Sequence, residues 1–135
     1  MPSLDAARHA LRLQRDGLQA SFVLATVQEP TYLFEMMLAP NAEVLERVTG
    51  AVGARSLKDA EALFNAAGVP FEREIGAGSV PDTLIEIAGR YGCDAIIMGA
   101  RGWGALRSAL LGSVSHAVVQ ASTLPVTIVK HDGSV

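Results

Sequence analysis

A single cysteine, Cys93, stands in the whole chain, so no internal disulfide can form and no thiolate cluster can hold a metal. Its place just before an apolar run marks it as a buried structural thiol rather than a reactive one. The three histidines, His9, His116 and His131, lie far apart and show no metal-ligand spacing, which leaves surface and helix-packing roles. Long apolar stretches are missing too: segment 93–100 is apolar but far short of the about 20 residues that cross a bilayer. No basic stretch leads into an apolar one at the start, so the expectation is a cytoplasmic protein without a secretory signal. Positive charge is in deficit, with a formal net charge of -3, which gives no electrostatic ground for nucleic acid or an anionic membrane as partner. Arg8, Arg12 and Arg15 do share one helix face, but such a run reads as a solvated face.

What is present is apolar and periodic. Half of the 135 residues are hydrophobic, enough for one ordinary core, so residues 1–135 are expected to form a single domain. Ser3 can cap a first helix that runs to about Asp16 and stops at Gly17, with Leu4, Ala7 and Leu11 on one stripe. Ser21–Val27 reads as a buried strand. The apolar segment Tyr32–Leu38 lies between Pro30 and Pro40 and suits core packing or a subunit contact better than a ligand lid. A helix over Ala42–Ala67 follows, weakened by Gly50 and Gly53 and ended by Gly68-Val69-Pro70. Phe71–Ile75 is a short strand, Gly76–Ser79 a loop, and Pro81 opens a helix that Gly92 closes. Strand Ala95–Met98, helix Ser113–Ala121 and strand Val126–Val129 complete the order. Strands alternating with helices imply βαβ units, hence a doubly wound parallel sheet with helices on both faces. Ligands of such α/β folds bind beyond the carboxyl ends of the strands, where the strand order reverses.

The carboxyl end of strand Ala95–Met98 carries the most informative motif. Gly99-Ala100-Arg101-Gly102 leaves the strand, and Gly112-Ser113 opens the next helix. A glycine-rich loop delivered onto a helix N-terminus presents unpaired N–H groups and a positive dipole end, which suits an anion such as a nucleotide phosphate. Ser113 adds a hydroxyl and an N–H, with the N–H of Val114 and the Ser115 hydroxyl beside it. Arg101 and Arg107 are placed to neutralise phosphate charge or simply to lie exposed, and Trp103 to shield the pocket or pack at an interface. A Walker A loop is excluded, because Leu111 and not lysine precedes Gly112-Ser113. The dinucleotide fingerprint fails as well, since Gly102-Trp103-Gly104 meets Arg107 at its third glycine position, and Gly76-Ala77-Gly78 meets Pro81. Ser113 and His116 sit one turn apart, yet nothing here supports a nucleophile triad.

These residues give the chain its resemblance to the universal stress protein family and to its ATP-binding subgroup. The subgroup signature Gly-x2-Gly-x9-Gly-Ser/Thr is met by Gly99, Gly102, Gly112 and Ser113. Cys93–Met98 and Leu124–Val129 resemble the family's last two strands, and the likeness extends from about Leu4 to Lys130. The resemblance implies a Rossmann-like, adenine-nucleotide alpha hydrolase-like fold. It further implies an ATP site, with Mg2+ as a companion of the nucleotide, in which Gly99, Gly102, Gly112, Ser113 and Val114, with Ser115 beside them, hold ribose and phosphates while Val27 and Met98, equally readable as core residues, line the adenine pocket. One departure stands out. Family members begin with a central strand of the kind Ile-Leu-Val-Ala-Val-Asp-x-Ser, whose aspartate contacts the nucleoside, whereas Met1–Ala7 resembles the helix that follows it, with Asp5 in the first helical turn.

A missing central strand would strand two rows of backbone groups at about 1 to 3 kcal/mol each. The expected remedies are a start upstream of Met1, direct closure of the neighbouring strands, or a strand from another chain. The implied function is a nucleotide-dependent stress-response module that dimerises through Val126–Val129. Two alternatives stand beside it: an interaction protein that has lost ATP along with the strand, and a slow ATPase for which the sequence offers no base.

Overall fold

The computed structural model describes residues 2–29, 54, 57–100 and 112–130. Tyr32–Leu38, Gly50, Gly53, Arg101, Gly102, Trp103, Arg107 and His131 lie outside them. Helix α1 spans Pro2–Arg15, with Asp5 in its first turn and Arg12 and Arg15 in its last, all on the favourable side of the helix dipole. It begins two residues earlier than a Ser3 cap would place it, so Ser3 is inside the first turn. Gly17 ends it at a φ of 115°, a conformation that glycine alone adopts cheaply. Arg8, Arg12 and Arg15 are exposed, as a solvated face requires. Strand β1 covers Val23–Gln28, and helical residues 57–67 form α2. Then come β2 (Glu72–Ala77), α3 (Val80–Arg90), β3 (Ile96–Gly99), α4 (Ser113–Ala121) and β4 (Val126–Val129).

The strands are parallel, β1 with β2 and β3 with β4, and they form two separate two-stranded sheets. Helices lie on both sides. Ala7 and Ala10 of α1 and Ala60 and Phe64 of α2 make one buried cluster, against which Leu24 of β1 and Ile97 of β3 both pack. Phe64 is fully buried and meets Phe22 and Phe71 edge to face, with centroids 5.4 and 5.8 Å away. On the other face α3 lies against β1 and β2, α4 against β4, and the two helices against each other, burying Ile87, Ala88 and Val118. Both helix layers therefore span the division between the sheets.

The ladder bonds tell which backbone groups face that division. Glu72 and Gly78 donate to the carbonyls of Phe22 and Gln28, so the even residues of β1 turn toward β2 and Val23, Ala25 and Val27 turn away. Ile96 and Ala100 donate to Pro125 and Val129, so Ile97 and Gly99 turn away from β4. Since Leu24 and Ile97 share the core cluster, β1 and β3 are the inner strands, and these odd residues line a seam between them. Every residue of both strands is only half-buried, although parallel strands this apolar are normally covered on both faces.

Two expectations need correction. Strand β2 continues through Gly76 to Ala77, because Val27 and Gln28 of β1 supply partners in register; the loop shrinks to Gly78-Ser79. Cys93 is half-buried rather than buried, since it lines a shallow cavity with Ile85, Ile96 and Leu124 at the amino ends of β3 and β4. Helix α3 starts at Val80, with Ser79 at the cap position and Pro81 in the first turn, where its missing N–H costs nothing. Its far end is tied to β2: Glu74 accepts hydrogen bonds from the Tyr91 hydroxyl at 2.8 Å and from Arg90 at 3.1 Å. Tyr91 first and Arg90 second hold the Glu74 carboxyl below its ordinary pKa, and the same hydrogen bond raises that of Tyr91.

Candidate functional site

At the carboxyl end of β3 the backbone is drawn into a neck. Ala100 donates to Val129 at 2.9 Å, which continues the β3–β4 ladder one residue past the strand. Gly112, the residue before α4, donates to the Ala100 carbonyl at 2.8 Å. The Ser115 hydroxyl, in the first turn of α4, lies 2.9 Å from the Gly99 carbonyl and 3.0 Å from that of Ala100. It has one proton to share between them. The end of β3, the end of β4 and the start of α4 thus meet around a single peptide.

Helix α4 begins open. The first intrahelical bond runs from His116 to the Gly112 carbonyl, and Gly112 has no side chain with which to cap the turn. Of the four N–H groups that a helix start leaves without internal partners, that of Gly112 is taken by Ala100. Those of Ser113, Val114 and Ser115 have no partner among the described residues and lie at the positive end of the helix dipole, with Ser113 exposed and Val114 half-buried. Three convergent N–H groups can bind a phosphate without any basic side chain. The described residues hold no group of three or more His, Cys, Asp or Glu that could ligate a metal, and none of their helices is long and apolar enough to cross a membrane.

Gly99, Gly112, Ser113, Val114 and Ser115 are therefore gathered in one place, and Gly102 falls outside the described residues. Val27 and Met98 occupy the carboxyl ends of the two inner strands, on either side of the seam. Their side chains share a face: Val27 lies beside Gly76 under α3, and Met98 points opposite to Ile97, away from α1. Gly112 has an ordinary φ of -68°, and Gly99 is not among the positive-φ glycines, so neither position depends on a left-handed backbone. One reading changes. The Ser115 hydroxyl is turned to protein carbonyls and is not presented to a ligand. Sequence reasoning passed over Ala100, whose peptide group joins three elements; it contributes through backbone alone, and its residue type carries no signal. Ser113 and His116 are both exposed.

The universal stress protein family model matches residues 2–130. Universal stress protein YxiE of Bacillus subtilis is 29% identical over 131 residues, spanning 95% of this chain and 88% of its own. Universal stress protein MJ0531 of Methanocaldococcus jannaschii is 27% identical over 128 residues, spanning 95% of this chain and 75% of its own. Among solved structures, protein MJ0577 superposes with a TM-score of 0.76 at 25% identity, covering 96% of this chain and 87% of that one. A universal stress protein in complex with cAMP gives 0.62 at 25% identity, with coverage of 96% and 87%. A family protein of Arabidopsis thaliana with AMP bound gives 0.57 at 20% identity, covering 93% and 78%, a likeness of fold.

Proposed function

Because this chain belongs to the universal stress protein family, we propose that it binds ATP at the neck between β3 and α4 and acts as a nucleotide-dependent regulatory module. The observation that carries this reading is the start of α4, where the N–H groups of Ser113, Val114 and Ser115 have no partner among the described residues and follow a glycine without a side-chain cap. The phosphates would lie on these groups, with Gly99, Gly102 and Gly112 admitting them closely. Val27 and Met98 would flank the adenine. Adenine nucleotides bound by two structural neighbours support the ligand class, and the glycine-serine spacing favours ATP within it. Mg2+ entering with ATP would be held by the phosphates and the Ser113 hydroxyl. Recognition is the mechanism proposed, with hydrolysis at most slow.

Denaturing the purified protein and assaying the supernatant tests this. About one ATP or ADP per chain is the expected result. A protein that releases none, and gives no heat with millimolar ATP, AMP or cAMP, would leave the nucleotide reading without support.

The seam favours a second reading. A parallel strand placed between β1 and β3 would pair the outward groups of Val23, Ala25, Val27, Ile97 and Gly99 and would bring the nucleoside-contacting aspartate of the family pattern to the site. Without it, the protein would serve as an interaction module whose open inner edges take a strand from another chain, with the β4 edge available for pairing in a homodimer. An empty, ATP-blind protein that is dimeric by light scattering would favour this second reading.

A further inference from the structure

The hydroxyl of Ser115 is the one buried polar side chain among the described residues, at 2% exposure, and phosphate recognition by backbone N–H groups makes no use of it. We propose that Ser115 is a positioning residue: it clamps the start of α4 to the end of β3 and so sets where the helix's open N–H groups point. This rests on the nucleotide reading for its consequence, but the clamp itself belongs to the free protein.

The geometry points to this role in three ways. First, the Gly99 carbonyl faces the seam, where β4 cannot reach it, and the Ser115 hydroxyl at 2.9 Å is the partner it finds. Second, the Ala100 carbonyl receives both the Gly112 N–H at 2.8 Å and the Ser115 hydroxyl at 3.0 Å. One acceptor thus holds the residue before the helix and a residue in its first turn, which fixes the direction of the axis as well as its origin. Third, serine in a first helical turn commonly turns to its own helix or to water. Here it is spent across elements, on the strand that carries the motif. Gly112 has no side chain to set the helix start, so the clamp comes from inside the turn instead.

The test uses the full chain and two variants, Ser115→Ala and the control Ser122→Ala, which removes a hydroxyl bonded to Leu124 at the other end of α4. Amide exchange is followed by NMR without nucleotide, and ATP binding by calorimetry. Losing one hydrogen bond of ordinary strength corresponds to roughly fivefold. Ser115→Ala should therefore speed exchange at the Gly112 amide by about five- to tenfold and weaken ATP by a similar factor. Exchange at Glu72 and Gly78, in the other sheet, should not change, and Ser122→Ala should alter neither Gly112 nor ATP. Unchanged exchange at Gly112 in Ser115→Ala would overturn the proposal, whether or not ATP binding falls. So would equal acceleration at Glu72 and Gly78, an effect as large in the control, or faster exchange with undiminished ATP affinity. If the wild-type chain binds no ATP, the nucleotide reading fails separately, and the exchange pattern alone decides whether the clamp exists.

Discussion

Gly76 shows how much a single residue can carry in this chain. A Cβ built there would lie 2.7 Å from the Thr83 methyl and 3.2 Å from the end of Ile87, so β2 approaches α3 as closely as a missing side chain allows. Threonine is stiff at χ1 and cannot easily move aside. Gly76→Ala is expected to destabilise the fold by about 1–3 kcal/mol through overpacking, seen as a melting temperature several degrees lower; an unchanged value would show that the α3 contact yields freely. Gly76 is also where sequence reading went astray. Gly76-Ala77-Gly78 looks locally like a loop, and only a helix from later in the chain explains a glycine inside a strand. Glu74 offers a second test. Its folded carboxyl sits below the ordinary value, so it contributes stability above about pH 4.3 and loses that contribution as pH falls through the lower folded value. Melting curves of the wild type and Glu74→Gln should therefore differ at neutral pH and converge in acid. Parallel curves from neutral to acid would mean that the Tyr91 and Arg90 contacts do not discriminate charge.

At the scale of elements, α4 and β4 were legible to the residue, since Gly112-Ser113 and Pro125 punctuate them and no distant partner shifts their ends. The gathering of the candidate site's described residues was legible for the same reason: strand end and helix start are contiguous in sequence except for one loop. What no local pattern could give was the neck, because it depends on a carbonyl of one element and a hydroxyl of another. The open start of α4 suggests an exchange experiment. Aspartate at position 112 could accept the N–H groups of Val114 or Ser115 and would place negative charge at the dipole's positive end. Gly112→Asp should stabilise the helix by a few tenths to about 1 kcal/mol while removing ATP binding. Thermal melting and calorimetry on the same sample would check both, and an aspartate variant that still binds ATP normally would place the phosphates elsewhere.

For the whole molecule, the arrangement of strands with helices on both faces follows from the alternation of strand and helix patterns. The division of the sheet does not: strand patterns say which segments extend, not which edges meet, and here only the family resemblance directed attention to the centre. The division can be seen in solution. Amides of Val23, Ala25, Val27, Ile97 and Gly99 should exchange faster than the ladder amides of Glu72, Gly78, Ile96 and Ala100. Equal protection in the two sets would mean that the seam is closed.

That division also governs how the molecule bears force. Among the described residues the two pairs of strands are joined by side chains packed beneath α1 and α2 and above them by the contact of α3 with α4, and by no β-ladder. Pulled apart across the sheet, such a layer yields by sliding apolar surfaces, whereas each strand pair resists through a row of hydrogen bonds that must shear together. For the described residues the expectation is mechanical anisotropy, stiff within each half and softer along the line between them, and that line runs beside the motif proposed to bind nucleotide.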